Sequence, residues 1–344
     1  MNFHNQRMSS AKFYKLAALL SLFLVTPFNN HLFVAAMFHK ATLSLLSRRL
    51  GVVANRGGCY SRALSQTTAA PLVVPVELVS DTLWPNGYIG KKHLNRAINE
   101  VLSHPLEDAP RSLAFSVIRV PFFLEPHYDE TLPHVATNRE RLVAKWGGVA
   151  GWEEQKRRHD LKGRGLEAGI PHFNLDRLAA NSMASHRLIQ HLGKSYGLAV
   201  SERIYDTLNE YYFVDGHSLN DRPRLAKTVA EELAKILPDD NNVPTEASLL
   251  AFLNGKEGRK EIELALHKLQ ELGVHGIPKF IIEGTSLVDG AAHSDVFVRL
   301  FRDIERRGFL QSPNTVFGSI LGIPDEVIEE GSHRAENLVM NNHA

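Results

Sequence analysis

The chain of 344 residues holds a single cysteine, Cys59. Thiol–disulfide exchange needs a nucleophilic thiolate and a resolving thiol, so one cysteine cannot run it within the chain. His172, His186, His191 and His217 lie in the central region, yet none has a Cys or carboxylate partner at a metal-ligand spacing. No metal site is expected, and His186 reads as a hydrogen-bonded structural residue. The stretch best suited to chemistry is VVPVELVSDTLWPNGYIGKKHL, from Val73 to Leu94. It reads as a buried strand, a short loop and the start of a helix. Such a loop sits at a helix N-terminus, where free N–H groups and the helix dipole favour an anion or a thiolate.

The elements that must position this loop follow from residue pattern. Val73, Val74, Val76, Leu78 and Val79 form a short apolar, β-branched run, as a strand buried on both faces does. Asp81 and Thr82 are turn and cap formers, Pro85 suits a first helical turn, and Tyr88, Ile89, Leu94, Ala97 and Ile98 continue at helical spacing. Ser112 to Val120 predicts a second strand, parallel to the first through a right-handed crossover. Val120 to Pro133 is a Pro-punctuated loop whose prolines limit chain freedom. From Asn138 to about Leu272 the pattern is largely helical, with segments expected at Arg139–Trp146, Trp152–Leu161, Asn181–Gly193, Ser201–Tyr212, Asn220–Leu237, Ser248–Leu253 and Glu257–Leu272. Gly163, Gly165 and Gly169 are expected to interrupt helix, and Phe173 to Asp176 to cap the segment that follows. Phe280–Ile282 and Thr285–Val288 predict two strands joined by a Glu283-Gly284 turn, ahead of a helix over about Ser294–Arg307 capped at Ser294-Asp295. Phe317 to Ile328 reads as an apolar arm that docks, with a disordered end beyond it.

Several of these segments carry a family likeness. Asp81-Thr82-Leu83, Trp84-Pro85-Asn86-Gly87 and Tyr88-Ile89-Gly90-Lys91 resemble the opening of the DsbA-like thioredoxin family. The likeness extends to its FrnE-type oxidoreductases and to their relatives, the 2-hydroxychromene-2-carboxylate isomerases and kappa-class glutathione transferases. There, Cys-Pro-Trp-Cys stands between an Asp and Tyr-Ile-Gly-Lys. Arg119 to Pro126, Asn181 to Leu188, Tyr211 to Asp221, Gly273 to Pro278 and Gly290 to Asp295 are similar to further family motifs in the same order. The resemblance implies an α/β thioredoxin fold split by a large helical insertion, with the family label of protein disulfide oxidoreductase. Its divisions are residues 1–70 as a cleaved presequence, 71–133 and 273–308 as the two halves of the fold, 134–272 as the insertion, and 309–344 as a tail.

The likeness also sets the expected site. Trp84 and Gly87 occupy both cysteine positions, and Trp84 also replaces the Ser of the isomerase branch. In the family, the proline corresponding to Pro278 is cis and faces the redox loop. It would present the Ile277 N–H and C=O to an extended ligand added as a strand. The groove so implied comprises Trp84, Pro85, Asn86, Tyr88, Ile277, Pro278, Ser294 and Asp295, the last two being placed to hold a peptide or glutathione amine. The expected function is a degenerate DsbA-like protein acting as a binding or assembly module for a protein or peptide partner, without a cofactor. The alternative is a glutathione-dependent isomerase or transferase, in which Asn86, Tyr88 or loop amides would activate the thiol that glutathione supplies.

Composition bounds location and partners. Hydrophobic content of 44% and 22% charged residues are ordinary for a globular chain. The net charge of +1 hides an asymmetry: eight Lys and Arg precede the first acid, Glu77, which leaves 31 basic residues against 38 acids and about −7 on residues 77–344. A nucleic-acid-binding body is not expected. The acid-free leader, with the basic amphipathic stretch Met37 to Ser65, predicts a mitochondrial transit peptide. Leu16 to Val25 is the competing secretory signal and is too short for a membrane span.

Overall fold

The computed structural model describes residues 70–238, 240 and 242–336. The leader and the last residues of the tail, with the targeting and disorder expectations attached to them, lie outside the described residues.

Strand β1, Leu72–Ser80, is the centre of the sheet. Its run of Val and Leu is buried on both faces. It feeds helix α1, Pro85–Ser103, whose first residue is a proline that suits a position with no N–H to satisfy. The chain returns as β2, Leu113–Pro121, parallel to β1 in a register that pairs Leu72 with Leu113 and Ser80 with Pro121. After the insertion, β5, Lys279–Ile282, runs antiparallel to β1, and β6, Ser286–Asp289, antiparallel to β5. The sheet order is β2-β1-β5-β6. The turn between β5 and β6 places Glu283 and Gly284 at positive φ, as a twisted hairpin turn requires.

Alternation along β1 divides the core. Val74, Val76 and Leu78 face α1 and helix α10, Ser294–Arg307, packing on Leu94, Ile98, Phe297 and Phe301. Val79 faces the other side, against Ile118, Ala265, Leu269, Phe317 and Leu321.

The insertion begins with a short antiparallel ladder, β3, Ala136–Thr137, on β4, Leu178–Ala179. Between them lie α2, Asn138–Lys145, α3, Val149–His159, and α4, Leu161–Glu167. Then come α5, Met183–Tyr196, α6, Leu198–Asn209, α7, Arg222–Ile236, α8, Glu246–Asn254, and α9, Arg259–Glu271. Their apolar faces form a second core around Leu188, Ile204, Phe213, Leu225 and Leu253.

Three local expectations do not hold. Gly163 and Gly165 lie inside α4 rather than breaking a helix, because the Phe173 ring packs where a side chain at Gly165 would stand. Phe173 to Asp176 does not cap a helix. The Asn174 side chain instead accepts the Asp176 N–H, and the Asn174 N–H donates to Phe213 C=O. The start of α10 is capped by His293 and not by Ser294, and without a side-chain hydrogen bond.

The arm after α10 docks on the sheet face opposite α1. Phe317, Leu321 and Ile323 are buried against Val79, Ile118 and Leu269. The Val316 and Phe317 N–H groups donate to the Glu77 carboxylate at 2.9 and 2.6 Å. Burial drives the Glu77 carboxyl up to about 6 against the pull of these two donors. Beyond a short helix, α11, Asp325–Glu330, the chain meets the free edge of β2: the Ser332 and His333 N–H groups donate to Phe115 C=O, and Phe115 N–H donates to His333 C=O.

Candidate functional site

The loop between β1 and α1 is held from below by one carboxylate. Asp81, almost fully buried, accepts the Leu83 N–H at 3.1 Å and the Leu124 N–H at 2.7 Å. It therefore ties the loop to the segment that follows β2. Thr82 and Ser185 hydroxyls share a hydrogen bond of 2.9 Å, which ties the same loop to α5. His186 packs against Phe123, with its Nε2 3.2 Å from Phe122 C=O and 3.5 Å from Asp81 Oδ1. These contacts make His186 a positioning residue for two loops.

Trp84 is the N-cap of α1 in extended conformation, and no side-chain acceptor caps the helix. The Ile277–Pro278 peptide bond is cis. The two segments meet through the indole: Trp84 Nε1 donates to Ile277 C=O at 3.0 Å. The carbonyl expected to receive an extended ligand is thus already engaged by the side chain in the first cysteine position. Gly87, in the second, has no room for a side chain, because a Cβ there would overlap Ser80 Oγ.

The remaining expected groove residues separate. Asn86 is half-buried, with its Oδ1 enclosed and unpartnered. Pro85 is buried. Tyr88 is a core residue, 2% exposed and stacked on Phe213 at 5.5 Å. Burial, with Glu210 and Asp206 nearby, pushes its phenol well above the ordinary range. Asp295 is engaged by Arg299 and His293 at the surface. Among the described residues no group of three or more His, Cys, Asp and Glu is placed to hold a metal, and no helix is long and apolar enough to cross a membrane.

Two features escape a linear reading. The first is a cleft of about 440 Å³ beside the loop, between the segment after β2 and α9. Phe122, Phe123, Pro126, Met183, Leu266 and Val274 line it. Paired aromatics inside a proline-bounded loop, Phe122-Phe123, are its one signal in the sequence. The second is a buried charge cluster. Lys91 Nζ, wholly buried in α1, donates to Asp206 at 2.7 Å and lies 3.6 Å from Glu202, while Arg119 of β2 donates from Nε and Nη2 to both Glu202 oxygens. Burial opposes the Glu202 anion, but Arg119 and Lys91 outweigh it and hold the carboxyl below its ordinary range. Arg119 also lies over the Tyr205 ring at 4.1 Å. Nothing local in the sequence marks these partners, which lie about 80 residues or more apart.

No protein-family model matches the chain, and no curated protein matches it. Solved structures do. A probable DsbA oxidoreductase from Streptomyces coelicolor is 24% identical, with 67% of this chain and 89% of that chain covered and a TM-score of 0.52. A putative protein disulfide isomerase from Nitrosomonas europaea is 12% identical, with coverage of 69% and 99% and a TM-score of 0.45. A 2-hydroxychromene-2-carboxylate isomerase is 14% identical, with coverage of 68% and 95% and a TM-score of 0.40. The four-stranded sheet, its helical insertion between β2 and β5 and the likeness to the Streptomyces structure together give the chain a DsbA-like thioredoxin fold.

Proposed function

We propose that the chain is a thioredoxin-fold binding module that works without dithiol exchange, using the cleft beside the Trp84 loop to hold a protein or peptide partner. One observation carries the reading: both positions that would bear the dithiol are built for other purposes. The Trp84 indole closes onto Ile277 C=O, and the space beside Gly87 belongs to Ser80. A large half-buried aromatic in the first cysteine position, and a separate cleft floored by Phe122, Phe123, Leu266 and Val274, favour docking over electron transfer. The acid-free leader supports action in the mitochondrion.

A glutathione-dependent reaction has less support. The Thr82 hydroxyl is paired with Ser185 and the Tyr88 side chain is buried in the core, which weighs against either as the group that activates the thiol.

The test pairs two assays. Insulin reduction and refolding of scrambled ribonuclease by the full chain should stay at the uncatalysed rate, and glutathione at millimolar concentration should give no heat on titration. A photo-crosslinker at Gln270, an exposed residue lining the cleft, should capture one polypeptide in isolated mitochondria, while the same group at Leu287 on β6 should not. Catalysed disulfide turnover would overturn the reading, and so would equal labelling from both positions.

A further inference from the structure

Charge is unevenly spread over the body of the chain. Residues 138–167, which hold α2, α3 and α4, carry eight Lys and Arg against five Asp and Glu, whereas the rest of residues 77–344 carries 23 against 33. Four of the eight cations are paired: Arg139 with Asp176, Arg141 with Glu125, Lys156 with Glu153 and Arg157 with Glu154. Lys145, Arg158, Lys162 and Arg164 stand outside every ion pair among the described residues. The five acids of the segment are all engaged. Glu153 and Glu154 belong to the pairs just named, Glu140 accepts the Thr137 N–H and hydroxyl, Asp160 accepts the Gly163 N–H, and Glu167 meets His293 at 2.9 Å.

The same segment has an apolar end. None of residues 138–159 joins the three apolar cores, and Trp152 is buried locally under Arg139 and Lys156. At the turn from α2 to α3, Gly147 and Gly148 take positive φ, and no atom lies within 4 Å of where either side chain would stand. Beside them Trp146 is 37% exposed, Val149 is 63% exposed and Ala150 is open as well. Lys145 lies 5.9 Å from the centre of the Trp146 ring. An exposed row at helical spacing, Ala150, Glu154, Arg157 and Arg158, leads along α3 from this tip to its basic end. An indole and a Val side chain on an open turn suit the headgroup boundary of a bilayer, and unpaired cations behind them suit anionic lipid. The acidic remainder of the body is repelled by the same lipid, which leaves this end as the one that approaches. A nucleic acid would meet the cations but offers no aliphatic interior to Val149 and Ala150.

We propose that the α2–α3 turn docks peripherally on an anionic lipid surface, with Trp146 and Val149 in the headgroup region and Lys145, Arg158 and Lys162 over the lipid charge. This surface is separate from the cleft, so the inference stands or falls apart from the binding-module reading.

The acid-free leader also carries cations, so the readout is placed on the tip itself. Cys59 is the only cysteine, and in a full chain with Cys59→Ser an environment-sensitive nitrobenzoxadiazole label goes on Val149→Cys or, in a second protein, on Leu287→Cys of β6, which is 60% exposed. With vesicles of phosphatidylcholine and about one-third phosphatidylglycerol, the label at 149 should brighten at least about two-fold and shift to the blue, while the label at 287 should not. Vesicles of phosphatidylcholine alone should leave both unchanged. Arg158→Glu with Lys162→Glu, both on exposed side chains, should raise the lipid concentration needed for the 149 signal by about ten-fold, an effect that shrinks as salt rises. An unchanged signal at 149 overturns the inference, and so does an equal response at 287, since the leader would then be the anchor. A response to neutral vesicles, or one that ignores the charge reversals, overturns it too, as does a larger response to single-stranded RNA than to vesicles. The comparison of the two label positions needs no charge variant, so a folding defect in the reversed protein cannot produce the expected result.

Discussion

Phe317→Ala tests whether the arm is part of the core. The Phe317 side chain is 0% exposed, packed with Leu321 and Ile323 against β1, β2 and α9. Truncating a buried Phe to Ala costs about 3–5 kcal/mol, the lost transfer energy plus the cavity left behind. The backbone N–H of residue 317 still donates to Glu77 in the variant, so the hydrogen bonds are not in that figure. A domain of this size loses about 2–4 °C of Tm per kcal/mol, which gives a fall of roughly 6–20 °C. Phe309→Ala is the internal control, since Phe309 is 58% exposed and lies in the same segment. It should cost about 0.5 kcal/mol or less. Urea unfolding followed by tryptophan fluorescence and by circular dichroism would measure both. If Phe317→Ala lost less than about 1 kcal/mol, the arm would be a peripheral appendage, and its packing would not be what completes the core on the second face of the sheet.

The buried charges and the tight glycine set the other expectations. Glu77 is raised from 4.5 to about 6, so its contribution is complete below pH 4.5 and is lost as pH rises to 6. Glu77→Gln should remove that slope, worth about 2 kcal/mol, from the stability–pH profile. His333 is lowered by burial from 6.5 to about 4, so its contribution is present above pH 6.5 and is lost as pH falls towards 4. His333→Gln should flatten that limb, worth up to about 3 kcal/mol, and NMR titration of the ring would report the midpoint directly. Gly87→Ala should destabilise by about 1–3 kcal/mol through overlap with Ser80 Oγ, and Ser80→Ala in the same chain should recover most of it in urea unfolding, because the nearest remaining atom lies 3.3 Å away. Lys91→Met should cost about 3–5 kcal/mol by leaving Glu202 and Asp206 short of a cation, and Asp206→Asn added to it should cost little more in a double-mutant cycle.

The parts of the fold legible in the sequence are those specified within a few residues. The β-branched run before Asp81, Pro85 at the first helical turn and the amphipathic stretch Ser294–Arg307 each define an element with its own local pattern. Local pattern misleads where packing outvotes it. Gly165 stays helical because the Phe173 ring needs its missing side chain, and the β3–β4 ladder is two residues long, too short for any alternation to register. The site is half legible. The surrounding motif locates Trp84 and Gly87, but that the indole reaches Ile277, 193 residues on, is a tertiary fact. The family likeness assigns Tyr88 to the groove, and its stacking on Phe213 of the insertion is likewise a tertiary fact.

The pairing of residues 332 and 333 with β2 has a consequence for how the protein is made. The segment from Val316 to His333 follows all six strands in the chain, so a ribosome completes the whole sheet before it supplies the piece that borders β2 and satisfies Glu77. Until then the nascent chain shows an open strand edge and a carboxylate destined for burial, and it stays short of its final state. Any message that ends early, near residue 312, would yield a product with every strand in place and an unguarded edge, prone to pair with its neighbours.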